Sequence, residues 1–300
     1  MIIECQGLSK RYGKTQALNE ISLNIEEGVT GLIGPNGAGK STMIKLILGL
    51  IRPTNGEVKV FGLNPWTSGE AVRKRVGVLH EKPSFPGWAT GYGLLELVGK
   101  LRGVNDLNRE IKKALAQVGM WEARSTKIAE YSAGMVQRLG MAQAIIGCPE
   151  LVILDEPTAN LDPKMRVDAL EILKTIREEG SSILISTHIL TELERVCESV
   201  IIMEKGTITD NGSLESLAEK YYAYSFTIKS NKPKKLLETL SQLKQVRDLT
   251  LKEDEVSVRT SSPRQLIEML DKHRKTSRIT HIREEAGLLE RLYFEASADL

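Results

Sequence analysis

The stretch VTGLIGPNGAGKST, residues 29–42, decides the architecture. A short apolar run ends in a glycine-rich loop, and a helix is expected from 39 to 50. The loop Gly34-Pro35-Asn36-Gly37-Ala38-Gly39-Lys40-Ser41 fits the spacing G-x-x-x-x-G-K-[ST] in full. Glycines let the backbone wrap an anion with its N–H groups pointing inward. The N-terminus of the following helix, with Thr42 in its first turn, adds the positive end of a dipole. In such a loop Lys40 reaches the β- and γ-phosphates of a nucleoside triphosphate, and the Ser41 hydroxyl is suited to ligate Mg²⁺. Strand, loop and helix in this order predict binding of Mg-ATP, with hydrolysis expected to follow.

A second apolar run, LVILDEP at 151–157, ends in two carboxylates. Ligands of open parallel sheets bind beyond the carboxyl ends of the strands, so this end and the phosphate loop can face one crevice. There Asp155 is suited to hold Mg²⁺, directly or through water, and Glu156 to polarise the attacking water as general base. An acidic pair that caps a helix is the alternative. A third run, SILIST at 182–187, is closed by His188, which would sit at the same edge near a γ-phosphate.

Continuous apolar strands alternating with helices predict an α/β fold with a mainly parallel sheet buried on both faces. Around it, residues 2–27 alternate apolar and polar about Tyr12-Gly13-Lys14 and predict an antiparallel β hairpin. A turn and strand are expected at 52–62, a short strand at 76–80, helices at 134–147 and 163–179, and a hairpin at 200–211 turning at Lys205-Gly206. Residues 83–130 carry few strand signals and several helical ones, such as 107–119, and are expected to form an inserted helical subdomain. Beyond about 217 the pattern restarts: strand 222–229, helix 233–243, strands 246–251 and 255–260, helix 263–273, strand 278–284, helix 286–295. That order predicts a small ferredoxin-like α+β domain over 217–300, after a first domain over 1–216.

Composition narrows the function. A net charge of +2 gives no basis for nucleic-acid binding, and the cluster Lys232, Lys234, Lys235 reads as a solvated helix start. Cys5, Cys148 and Cys197 show no metal-ligand spacing and fit a reducing compartment. The apolar run 43–51 contains Lys45 and is too short to cross a bilayer, so membrane work would need a separate anchor.

Taken together, these residues resemble the ATP-binding subunit of ABC (ATP-binding cassette) transporters over roughly 2–216. Residues 34–41 match the Walker A motif and 151–156 match Walker B. YSAGMVQR at 131–138 matches the signature usually written LSGGQQQR, ANLDP at 159–163 the D-loop, and His188 the switch histidine. The resemblance implies that Tyr12 stacks on adenine. It also implies a head-to-tail dimer, with a second copy or a related ATPase subunit, in which Ser132 and Gly134 meet the γ-phosphate held by the other chain. Ser132 and Asp162-Pro163 equally suit plain helix starts. A membrane-spanning subunit would dock on the helical subdomain, with Trp88 and Tyr92 either contacting it or packing locally. The chain would then sit peripherally on the cytoplasmic face of the cell membrane. The C-terminal domain is similar to extensions of export-type ATPases. A soluble ABC ATPase unconnected with transport is the alternative. Three residues depart from the family pattern. Glu81 stands where a Mg²⁺-sensing Gln is usual, Ala133 replaces a signature Gly and narrows the partner's approach, and Met135 replaces a Gln.

Overall fold

The computed structural model describes residues 1–158, 161–187 and 189–298; the side chains of 163, 164, 192, 275, 276 and 298 lie outside that description. By packing, the chain divides into two units, one of residues 1–188 and 195–209, the other of 189–194 and 210–300.

In the first unit β1 (Ile3–Tyr12) and β2 (Thr15–Ile25) form the expected hairpin, closing with Tyr12 opposite Thr15 across Gly13-Lys14. β3 (Val29–Ile33) is buried along its whole length and runs into the phosphate loop and α1 (Lys40–Ile47). β4 (Asn55–Val60) joins β1 on the side away from β2, giving a three-stranded antiparallel sheet. α2 (Gly69–Arg75) and β5 (Val76–Leu79) follow. The helical stretch contains α3 (Gly91–Arg102), α4 (Leu107–Gln117) and a 3-10 turn at Ile128–Glu130. Next come α5 (Ala133–Ile145), β6 (Leu151–Asp155), α6 (Pro163–Glu178) and β7 (Ser182–Ser186). After α7 (Leu190–Leu193), which packs with the second unit, β8 (Ser199–Glu204) and β9 (Thr207–Ser213) follow. They turn at Lys205 and Gly206, both at positive φ (48° and 82°), the geometry a two-residue hairpin needs.

The larger sheet has the order β5-β6-β7-β3-β8-β9. The pairings β5–β6, β6–β7, β7–β3 and β3–β8 are all parallel. Their residues are nearly all buried, as a sheet covered on both faces requires. One apolar core joins the hairpin (Ile3, Leu8, Leu23), helix α1 (Met43, Ile47) and the parallel sheet (Ile153, Leu184). The helix and the phosphate loop before it are thus clamped between the two sheets.

The second unit contains α7, α8 (Leu214–Lys220), β10 (Tyr224–Ser230), α9 (Pro233–Leu240), β11 (Val246–Lys252), β12 (Glu255–Thr260), α10 (Pro263–Ser277), β13 (Ile279–Glu284) and α11 (Leu288–Ala298). Its antiparallel sheet has the order β11-β12-β10-β13, the ferredoxin-like arrangement. Alternate residues Phe226, Ile228, Val256 and Val258 face α9 and α10 and bury against Leu236, Leu240, Leu266 and Leu270. Lys232, Lys234 and Lys235 are exposed at the start of α9. The expected boundary at 216/217 falls inside α8, whereas the division by packing lies at 209/210 and transfers 189–194 as well.

Because this unit has its own core, Leu240→Ala is expected to cost it about 2–5 kcal/mol, the usual range for a buried leucine. Hydrogen exchange of the β10 amides in increasing urea measures that loss.

Candidate ATP site

The site is assembled from the carboxyl ends of β3, β6 and β7. In register, Leu32 of β3 pairs with Ser186 of β7, and Ser186 pairs with Asp155 of β6. The loop after β3 and the acids after β6 therefore reach the same edge. Between them lies a cleft of about 430 Å³, lined by Thr15–Ala17, the loop from Asn36 to Thr42, Glu81, Asp155 and Glu156.

Local backbone demands explain the loop's composition. Gly39 has φ 107°, and a Cβ there would lie 2.8 Å from the Ala17 carbonyl oxygen. Gly34 passes so close to the Met203 carbonyl that no side chain fits. The Gly206 amide of the β8–β9 turn donates to Ala38 O at 3.0 Å, while its carbonyl accepts from Asn19 N at 2.8 Å. The turn thus pins the loop from behind.

Lys40 is buried, and its ammonium donates to the carbonyls of Gly34 (2.6 Å) and Pro35 (3.1 Å). Burial lowers its pKa, against the opposing pull of Glu156, Asp155 and Glu81. The cation is therefore surrounded by three acids in a partly desolvated cleft, where charge–charge interaction is strong.

The Ser41 hydroxyl donates to Asp155 Oδ2 at 3.3 Å, and the Ser186 hydroxyl donates to Asp155 Oδ1. Glu156 adopts φ 52°, an uncommon conformation for a residue with a side chain, fixed by its amide donating to Ser186 O at 2.8 Å. Thr187 Oγ1 donates to Glu156 Oε2 at 3.2 Å. Buried Gln137 of α5 donates to the carbonyls of Glu156 (3.4 Å) and Pro157 (3.0 Å). This couples the helix that follows Ser132 to the acidic strand end.

The fold gathers Asn36, Gly37, Ala38, Gly39, Lys40, Ser41, Thr42, Glu81, Asp155 and Glu156 around one cleft. Gly34 and Pro35 support the loop through their carbonyls. Tyr12, Ser132, Gly134 and Asp162 do not line the cleft. Tyr12 is exposed at the hairpin end with the Lys10 ammonium 5.1 Å from its ring centre. Ser132 caps α5, accepting from Met135 N at 3.3 Å, and Asp162 caps α6, accepting from Met165 N at 2.9 Å. At Gly134 a Cβ would lie 3.1 Å from the Met165 sulfur, tighter than ordinary contact. His188, and Ala159 and Asn160 of the D-loop segment, lie outside the described residues. Sequence reasoning missed Gln137, Ser186, Thr187 and Gly206. Gln137 was visible within the signature stretch, but its contact with Glu156 and Pro157, some twenty positions on, was not.

Comparison with known proteins places this geometry. The family model described as ABC transporter matches residues 18–159. The uncharacterized ABC transporter ATP-binding protein YdbJ of Bacillus subtilis (strain 168) is 39% identical over 216 residues, covering 71% of this chain and 70% of that protein. The bacitracin transport ATP-binding protein BcrA of Enterococcus faecalis is 38% identical over 226 residues, covering 75% and 73%. A solved structure of the ATP binding subunit of an ABC transporter superposes with a TM-score of 0.69 at 30% identity, covering 74% of this chain and 93% of that one. The chain belongs to the family of ABC transporter ATP-binding subunits. It is an ATPase of the kind that energises transport through a separate membrane permease. Among the described residues no helix is long and apolar enough to cross a membrane.

Replacing Gln137 by Leu removes the bonds to the Glu156 and Pro157 carbonyls, a loss of roughly 1–3 kcal/mol. The expected outcome is a lower unfolding midpoint together with slower ATP turnover, measured by calorimetry and phosphate release.

Proposed function

We propose that the cleft binds Mg-ATP with the triphosphate on the loop from Gly34 to Thr42. Lys40 neutralises the β- and γ-phosphates, and Glu156 takes the proton of the attacking water. The observation that carries this reading is the meeting of Ser41 and Asp155 at 3.3 Å, which brings a loop hydroxyl and a strand-end carboxylate to one point. Hydroxyl and carboxylate oxygens are hard donors that suit Mg²⁺, with Glu81 on the same wall. Ser41 and Asp155 would hold the ion, and Glu81 would sense it. When bound, Mg²⁺ neutralises charge developing on the transferred phosphoryl oxygens. Ser186 and Thr187 orient the two acids from behind. His188 completes the constellation as a contact to the γ-phosphate, and Tyr12 as the adenine platform.

Hydrolysis at full rate requires a head-to-tail dimer, in which Ser132, Gly134 and Asp162 of one chain complete the site of the other. The helix caps made by Ser132 and Asp162 support this, because both present a helix N-terminus at the surface. The division of labour is a cassette over 1–216, with a helical subdomain at about 83–130, and an accessory domain over 217–300. The membrane subunit docks on the helical subdomain, which holds the chain at the cytoplasmic face of the membrane. Trp88 is 80% exposed there, and Leu97 and Leu101, one turn apart on α3, are 57% and 70% exposed. The Tyr92 hydroxyl is engaged locally with Asn108 at 2.7 Å. The direction of transport is export, on the likeness of the C-terminal domain to extensions of export-type ATPases.

Glu156→Gln is expected to bind ATP normally while turnover falls by about a hundredfold or more, as for loss of a general base. The same variant should sediment as a dimer with Mg-ATP. Turnover at the wild-type rate would remove Glu156 from the base role. Glu81→Ala is expected to raise the Mg²⁺ concentration needed for half-maximal ATPase activity, read from a metal titration after chelation.

A further inference from the structure

Helix α6 carries Met165, Asp168, Ile172 and Thr175 at spacings of three and four, so these side chains share one face. Arg138 and Met141 stand one turn apart on α5. The two faces meet the end of α4 around a second cavity, of about 400 Å³. It lies in the same unit as the ATP cleft and shares no lining residue with it. Val118, Met141, Leu161, Met165 and Ile172 form its apolar wall. The volume is at the lower end of the range for small-ligand sites.

Most polar groups on this cavity are already engaged. The Gln117 amide donates to Glu179 at 2.9 Å, Glu171 pairs with Lys174 at 2.8 Å, and the Thr175 hydroxyl donates to Glu171 O at 3.1 Å. Arg138 and Asp168 differ. The Nε of Arg138 is buried with no acceptor. Its Nη1 lies 3.4 Å from where a Cβ on Gly119 would stand, so the guanidinium lies along the α4 end of the cavity. Asp168 is exposed at the rim and has no partner among the described residues. A buried donor without an acceptor is an exception in a folded protein, and an occupant that accepts from it removes the exception.

An unpaired cation and an unpaired carboxylate on one apolar wall are complementary to a zwitterion that carries an apolar group. We propose that this cavity binds a free apolar α-amino acid of about leucine's size. Its carboxylate accepts from Arg138, its ammonium donates to Asp168, and its side chain lies against Met141, Met165 and Ile172. A purely anionic ligand would meet Asp168 and Glu171 as like charges, and a purely cationic one would leave Arg138 unsatisfied. The Met165 sulfur and Leu161 also lie 3.1 and 3.9 Å from where a Cβ on Gly134 would stand, so two side chains of this wall cover the start of α5. The occupant therefore bears on the signature segment from within its own chain. The site stands on its own geometry and does not rest on the assignment of the ATP cleft.

Isothermal titration calorimetry of the full chain, without nucleotide, tests this. L-Leucine is expected to bind with a Kd at or below about 1 mM. L-Serine, which lacks the apolar group, and 4-methylpentanoate, which lacks the ammonium, should each bind at least several-fold more weakly. Arg138→Lys keeps the charge and loses the Nε donor, and should weaken leucine about tenfold, the worth of one charge-assisted hydrogen bond. Asp168→Asn changes an exposed position and leaves the fold intact, so it decides the matter whatever Arg138→Lys does to stability. It should weaken leucine by a similar factor. No binding of leucine by the wild-type chain, binding of serine or 4-methylpentanoate as tight as that of leucine, or wild-type affinity for leucine in Asp168→Asn would overturn the proposal. No ATP is present in the titration, so a failure of the Glu156 assignment leaves its outcome unchanged.

Discussion

The carboxylate of Asp155 joins three pieces of chain that are far apart in sequence. It accepts from Ser41 at the start of α1 and from Ser186 at the end of β7, while its own backbone ends β6. Parallel strands deliver their carboxyl ends to one edge, so the phosphate loop and the acids arrive together only in this strand order. Register matters as much as order. A slip of one residue in β6 would turn Asp155 to the opposite face and put Leu154 at the loop. The buried apolar run Leu151–Leu154 fixes that register, so the packing of the core places the chemistry of the edge.

The edge also carries conformational cost. Glu156 sits in the left-handed region, which costs a residue with a side chain on the order of 1 kcal/mol. Its amide, its carbonyl and its carboxylate are each bonded, to Ser186, Gln137 and Thr187 respectively. Over-determination of this kind holds a strained residue in place. It also ties Glu156 to α5, because Gln137 bonds the consecutive carbonyls of Glu156 and Pro157 just past the strand end. A displacement of α5 is therefore felt at Glu156 through two hydrogen bonds.

What the sequence made legible follows from how local the chemistry is. The phosphate loop is contiguous, and its glycines are required by positive φ and close backbone approach at Gly39, so motif and geometry coincide. The acids close an unbroken apolar strand and were found from that run. The C-terminal domain was legible from alternation, because Phe226 and Ile228, or Val256 and Val258, fill one face of a sheet. The supports were not legible. Ser186 and Thr187 stand in what reads as an apolar strand, and Gly206 bonds a loop far earlier in the chain. The packing division at 209/210 had no signal in the sequence, because α7 and α8 are too short to give a clear helical period.

Ser132 and Asp162 illustrate how one residue can satisfy two demands. Each accepts a hydrogen bond from the third residue of its own helix, which is sufficient to explain its identity from local structure alone. Yet a hydroxyl that accepts still has its proton to give, and a carboxylate that accepts once retains further lone pairs. Capping fixes the rotamer and leaves the remaining capacity facing outward beside a helix N-terminus. In the proposed dimer, a second chain bringing a phosphate to Ser132 would meet a donor already oriented, with little side-chain entropy left to lose there. Under that proposal the local cap and the intermolecular contact would be successive uses of the same geometry.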